Sequence, residues 1–257
     1  MDLSLDGKII LVAGASRGIG LGIVESCLNE GAHLVMTARG VEKLKSEHDR
    51  LADIFGSDKL SMFAGDMCDS ETVERIIDSV ETDIGPIFGA VANVGLHPCP
   101  PGFEVDDETW SAGMNQNLDS GFCFARSVLR RQVERQEGSL LFISSIAGIG
   151  ALGTVLTYGT AKAAMNHLAK ELARLVGKSN VRVNALAPGN IIFPDGTWQE
   201  RMDGDRKDAW TRWINREVPM QRFGTPEEIG SVAAFLLSPR ASFLTGAIIP
   251  VDGGQTR

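Results

Sequence analysis

Two residues four apart, Tyr158 and Lys162, carry the sharpest chemistry in this sequence. They open a segment of helical pattern, so their spacing places phenol and ammonium on one face. A free phenol has a pKa of about 10 and is about one part in a thousand ionised at pH 7. A neighbouring ammonium favours the phenolate. A drop of about three units asks for about 4 kcal/mol of differential stabilisation and makes the phenol a proton donor and acceptor near neutrality. Tyr158 is the single tyrosine of the chain, so phenol chemistry has one candidate. Ser145 follows the apolar run Leu140 to Ile143, where a hydroxyl can hydrogen-bond a carbonyl oxygen together with the phenol; Ser144 is the second choice. Asn117, inside a long helical segment, reads as a helix irregularity or a water anchor rather than a plain core residue.

These side chains need a scaffold, and the pattern of the chain supplies one. Short runs that are apolar on both faces occur at 8–13, 33–38, 60–64, 87–92, 139–143, 181–186 and 247–251. Such runs fit buried parallel strands. Helical patterns lie between them at 19–30, 41–55, 70–82, 106–134, 157–176 and 226–237. The alternation predicts an α/β fold: a Rossmann-type, doubly wound parallel sheet of about seven strands with helices on both faces. The whole chain, 1–257, reads as one domain.

Ligands of such sheets sit beyond the carboxyl ends of the strands. After the first run come Gly14, Ala15, Ser16, Arg17, Gly18, Ile19 and Gly20, spaced GxxxGxG, and then a helix. Glycines permit a tight turn, and the helix start offers free N–H groups to a pyrophosphate. At the end of the second run, where an acid would accept from a ribose diol, stands Arg39. Arg17 can approach the same corner. Two guanidiniums suit a 2′-phosphate by charge and by bidentate geometry, which favours NADP(H) over NAD(H). Asp66, followed by Met67, ends the third run and can reach an adenine amino group. Asn93 and Gly95 end the fourth, small enough for backbone to lie beside a cofactor.

With these residues in place, the sequence resembles the short-chain dehydrogenase/reductase family over nearly its whole length. The glycine loop, Asn93-Val94-Gly95, Asn117, Ser145, Tyr158/Lys162 and Pro188-Gly189 stand in that family's order and spacing. The resemblance implies a nicotinamide-dependent oxidoreductase that interconverts a carbonyl and a secondary alcohol, with an Asn-Ser-Tyr-Lys tetrad. In it Tyr158 is the general acid/base and Ser145 polarises the carbonyl. Lys162 lowers the phenol pKa and binds the nicotinamide ribose, and Asn117 holds a relay water. The resemblance also implies a homo-oligomer, dimer or tetramer, with the long fourth and fifth helices across a dimer face. Two departures stand out. Ala92 replaces the first asparagine of the family's Asn-Asn-Ala-Gly, and Phe193 stands near where the family often has a cofactor-contacting threonine after Pro188-Gly189. Backbone contacts from Ile191 to the carboxamide remain in the expected set.

Residues 193–218, between the sixth strand and the last helix, read as a helical lid of mixed charge with aromatic anchors Trp198, Trp210 and Trp213. Phe193, Trp198 and His97 are the expected substrate contacts beside Ser145 and Tyr158. The substrate is a small carbonyl or alcohol compound: a ketone, a 3-oxoacyl thioester, a sugar or a cyclic ketone. The competing reading is a sensor or scaffold that binds NADP(H) without turnover. A binding-only protein has no need of Ser145, Tyr158 and Lys162 in register.

Composition narrows the partners. The 257 residues carry a net charge of −8, which disfavours nucleic acid or an anionic membrane as the main partner. The acidic start lacks the pattern of a signal peptide, and no run reaches the length of a membrane span. Cys27, Cys68, Cys99 and Cys123 show no metal-ligand spacing and read as reduced thiols of a cytoplasmic protein; no metal site is expected.

Overall fold

The computed structural model describes residues 2–93, 95 and 98–256. Among the described residues, seven strands form one parallel sheet: β1 (Ile9–Ala13), β2 (His33–Ala38), β3 (Leu60–Ala64), β4 (Ile87–Ala92), β5 (Gly138–Ile143), β6 (Val181–Pro188) and β7 (Ile248–Val251), in the order β3-β2-β1-β4-β5-β6-β7. β1 is buried at every position, which explains why its residues are continuously apolar rather than alternating.

Alternation reappears in what each face packs against. Ile10, Val12, Leu34, Met36, Val91 and Leu141 join one core with α1 (Gly18–Asn29), α2 (Val41–Phe55) and α9 (Pro226–Leu237). Their neighbours Ile9, Leu11, Val35, Ala90, Leu140 and Phe142 join a second core with α3 (Ser70–Asp83), α5 (Ser120–Arg135) and α6 (Leu156–Val176). Successive side chains point to opposite faces, so both layers are built from the same strands. α1 and α9 cross at glycines: a Cβ on Gly22 would lie 2.5 Å from the Pro226 carbonyl oxygen, and one on Gly230 2.3 Å from that of Gly22.

Helix starts follow local chemistry. The Asp69 carboxylate accepts from Thr72 N at 3.0 Å to cap α3, and Asp106 accepts from Thr109 N at 2.7 Å to cap α4 (Asp107–Met114). The single helical pattern expected over 106–134 is interrupted. One turn of π-helix at Asn115–Asp119 separates α4 from α5. Such a turn loosens the carbonyl ladder, and here Asn117 Nδ2 donates to Gly113 O at 2.8 Å while Ser120 Oγ donates to Gln116 O at 2.8 Å.

Residues 193–218 contain α7 (Thr197–Asp203) and α8 (Lys207–Glu217). Their aromatic residues pack on one another: Trp198 stacks on Trp213 at 5.5 Å and meets Trp210 edge-on at 5.6 Å. Among the described residues no helix is long and apolar enough to cross a membrane.

Candidate active site

The strand order sends the chain from β1 to one face and from β4 to the other, which opens a crevice between them. The glycine loop fills its rim. Gly14 has φ +69°, and a Cβ there would lie 2.4 Å from the Asn93 carbonyl oxygen. Asn93 Nδ2 donates back to Gly14 O at 3.0 Å. A Cβ on Gly20 would lie 2.1 Å from Gly14 O, so the first turn of α1 sits on the loop's backbone. α1 has no acidic residue in its first turn, leaving its positive end free for an anion.

A cleft of about 380 Å³ runs from this rim in both directions. At one end stand Arg39, Gly40 and Asp66, with Met67 beneath, and Ser16, Arg17 and Ile19 lie midway along the glycine loop. Asp66 Oδ1 accepts from Cys68 N at 2.9 Å, which orients the carboxylate. Arg17 donates to Asp195 O at 2.9 Å, and Lys43 to the Asp195 carboxylate at 2.6 Å.

At the other end Ser145, Tyr158 and Lys162 line the cleft together with Pro188 and Gly189. Ser145 sits just beyond β5 and accepts from Ala147 N at 3.1 Å, capping a short 3-10 turn at Ile146–Gly148. Gly148 lets that turn touch α6, since a Cβ there would lie 2.5 Å from the Lys162 carbonyl carbon. The Ser145 side chain stands beside the Tyr158 phenol and favours its ionised form. Lys162 is buried; its Nζ donates to Ile143 O at 2.8 Å and lies 3.9 Å from Met165 Sδ. Gly95 completes the corner: a Cβ on it would come within 3.2 Å of Asn117 Oδ1 and 3.3 Å of Lys162 Nζ. The π turn thus brings Asn117 to the same point as the lysine.

The electrostatics differ from the sequence expectation in one respect. Burial pushes the Tyr158 phenol above its usual range, and the Ser145 hydroxyl only partly offsets this. Lys162 does not lower it, because its Nζ is 5.7 Å from the ring centroid and directed at Ile143 O. Burial also pulls the lysine itself down to about 8. Desolvation therefore dominates both groups.

Other expected residues are placed differently from the cleft lining. Ile191 is buried in the core beside β7 and bridges to Gly224. Trp198 is held in its aromatic cluster, 5.1 Å from Phe223 and with the Arg201 guanidinium 4.7 Å from its ring; aromatic self-packing draws it from the cleft. Phe193 does line the cleft, but over the glycine loop: a Cβ on Gly18 would lie 2.6 Å from its Cζ. His97 lies outside the described residues, as does Val94. The cleft also includes Ser144, the second-choice hydroxyl, and Ala38, Gly40, Gly65, Gln116 and Ile143, which were not expected. Most stand directly at strand ends, a signal available in the sequence; Gln116 enters only through the π turn.

The residues suit a dinucleotide. Lys162 has three N–H donors and two described acceptors, so it retains capacity for a ribose hydroxyl, and no acid opposes its charge. Cations stand at the far end and free helix N–H groups between. A buried hydroxyl and a half-buried phenol beside an ammonium, at the end of a nucleotide cleft in a doubly wound sheet, define an oxidoreductase. The comparisons give the family. A family model described as enoyl-(acyl carrier protein) reductase matches residues 14–256. The chain is 33% identical over 255 residues to a 3-oxoacyl-(acyl-carrier-protein) reductase of Chlamydia muridarum, covering 99% of this chain and 100% of that protein. It is 34% identical over 254 residues to a galactitol 2-dehydrogenase (L-tagatose-forming) of Cereibacter sphaeroides, covering 98% and 96%. The solved structure of L-sorbose reductase from Gluconobacter frateurii with NADPH and L-sorbose superposes with TM-score 0.92 at 31% identity, covering 100% and 99% of the two chains. The chain belongs to the short-chain dehydrogenase/reductase family and is an oxidoreductase acting on carbonyl and alcohol groups.

Proposed function

We propose that this protein is an NADP(H)-dependent oxidoreductase that interconverts a ketone and a secondary alcohol, with Tyr158 as general acid/base. The observation that carries the reading is the Ser145 hydroxyl set beside the Tyr158 phenol, one helical turn from buried Lys162. The bound nicotinamide ring supplies or accepts the hydride. The chain's own residues manage the oxygen and its proton. A neutral phenol, kept protonated by burial, donates its proton to the oxygen of the carbonyl as that oxygen becomes an alkoxide. The Ser145 hydroxyl donates a hydrogen bond to the same oxygen and stabilises the developing charge. Lys162, still largely charged at pH 7 with a pKa of about 8, holds a ribose diol. Asn117, at the same corner as Lys162, anchors the water that returns the proton.

Arg17 and Arg39 at the adenosine end support NADP(H) as the cofactor, as does the NADPH in the L-sorbose reductase structure. Relatives named for 3-oxoacyl, galactitol and L-sorbose substrates support a substrate among carbonyl or alcohol compounds of those kinds. Residues 193–218 act as the lid of one catalytic domain, and the exposed Phe122 of α5 and Leu175 of α6, on the two long helices expected at a dimer face, suit assembly with a second copy. Fluorescence titration with NADPH and NADH, followed by turnover of a ketone panel, tests the proposal. Tight NADPH binding with turnover of one ketone class is expected. Tight NADH binding in its place would overturn the cofactor assignment, and binding without turnover across the panel would favour a sensor.

A further inference from the structure

Asp195 is held by two cations from separate parts of the fold. Its backbone carbonyl accepts from Arg17 Nη1 at 2.9 Å, and its carboxylate accepts from Lys43 Nζ at 2.6 Å. Arg17 belongs to the glycine loop and lines the cleft. Lys43 belongs to the first turn of α2, three residues beyond Gly40, which lines the cleft beside Arg39. The Phe193 ring packs over Gly18. Residues 193–195 therefore form a strap laid from the end of β6 across the glycine loop to α2. The Lys43 and Asp195 side chains are 44% and 68% exposed, so the pair is wet and weakly held. A phosphate dianion on the adenosine ribose carries more charge than a carboxylate and offers more acceptor oxygens to the same donors.

Resting on the NADP(H) reading above, we infer that Lys43 is a third cation of the 2′-phosphate site and that Asp195 is its internal competitor. The strap carboxylate occupies Lys43, and the strap carbonyl Arg17, until a 2′-phosphate takes them. A carboxylate that stayed would face the phosphate at like charge, so binding exchanges one anion for the other. A nucleotide without the 2′-phosphate leaves the strap latched. Cofactor preference in this chain is then set by the difference between phosphate and Asp195 for Lys43, as well as by Arg17 and Arg39.

Calorimetric titration of the full chain with 2′,5′-ADP and with 5′-AMP tests this without any turnover. Asp195→Asn retains the backbone carbonyl and removes the charge. It is expected to tighten 2′,5′-ADP about threefold to fivefold, in the range of an exposed ion pair, and to leave 5′-AMP unchanged. Lys43→Gln is expected to weaken 2′,5′-ADP at least about threefold with 5′-AMP unchanged, and in that background Asp195→Asn gains less than about twofold. Thermal melts establish that the variants are folded. Unchanged or weaker 2′,5′-ADP binding by Asp195→Asn, or an equal gain for both ligands, overturns the inference. A wild-type preference for 2′,5′-ADP that depends on Arg39 but on neither Lys43 nor Asp195 sinks the competition alone. Equal wild-type affinity for the two ligands sinks the NADP(H) reading beneath it.

Discussion

The Nζ of Lys162 donates to the backbone carbonyl of Ile143 at 2.8 Å, joining the middle of α6 to the end of β5. Ser145 leaves that same strand end two residues later, so one contact sets the lysine, the serine and, through the helix, Tyr158 relative to one another. The charge at its centre is buried, a cost that the fold carries for the sake of the site.

That cost is measurable. Folding lowers the lysine's pKa from 10.5 to about 8, so between those values the unfolded chain binds more protons than the folded one. Stability from this group rises with pH across that window, and below it the buried charge opposes folding. Lys162→Met removes the charge and one hydrogen bond. At pH 7 the variant is expected to gain about 1–2 kcal/mol, roughly 2–4 °C per kcal/mol for a chain of this length, while losing activity. The gain shrinks from pH 8 to 10.5 as the wild type sheds its proton. Melting curves across pH check this; a variant less stable than wild type at pH 7 contradicts it.

Tyr158→Phe separates chemistry from binding. Reductase turnover is expected to fall by at least about 100-fold, the scale of general acid catalysis. Dinucleotide affinity, carried by the glycine loop and the cations, changes little. Steady-state rates and a fluorescence titration on the same preparation read the two quantities. Unchanged turnover would sink the proposed mechanism.

Arg39→Asp trades a phosphate partner for an acceptor of a ribose diol. Loss of a charge-assisted hydrogen bond is worth about 1.5–3 kcal/mol, so NADPH affinity is expected to drop roughly 10- to 100-fold. NADH affinity holds or rises. Equal loss for both nucleotides would place Arg39 outside the phosphate site.

Gly22→Ala tests the close crossing of α1 and α9. The added Cβ would sit 2.5 Å from the Pro226 carbonyl oxygen, a backbone atom that cannot turn aside. A loss of about 1–3 kcal/mol is expected, read as a Tm lowered by several degrees. A wild-type Tm would show that the helices separate freely. Gly40, where a Cβ meets nothing within 4 Å, provides the control.

Most of the fold was legible in the chain because local pattern and burial agree. β2, β3, β4, α2 and α9 begin and end where the apolar runs and helical periods do. The Ser145–Tyr158–Lys162 group was legible too, since strand end and helix face bring it together through short spacings. Asn117 reads from local pattern as a helix irregularity or a water anchor, and only the family resemblance puts it with Lys162; the π turn that brings the two together has no period of its own to read.

By itself, then, the sequence determined the sheet, the glycine loop and the single phenol that the proposed chemistry can draw on. Each follows from residue type at a local spacing. The tertiary structure alone decided the protonation balance, with burial outweighing the Ser145 hydroxyl at Tyr158. It also decided the strap, where Lys43 and Asp195, 152 residues apart, meet across the glycine loop. It moved Trp198 into an aromatic cluster and away from the cleft. These outcomes depend on solvent exclusion and on distances between remote segments, and neither quantity is written in the order of residues along a chain.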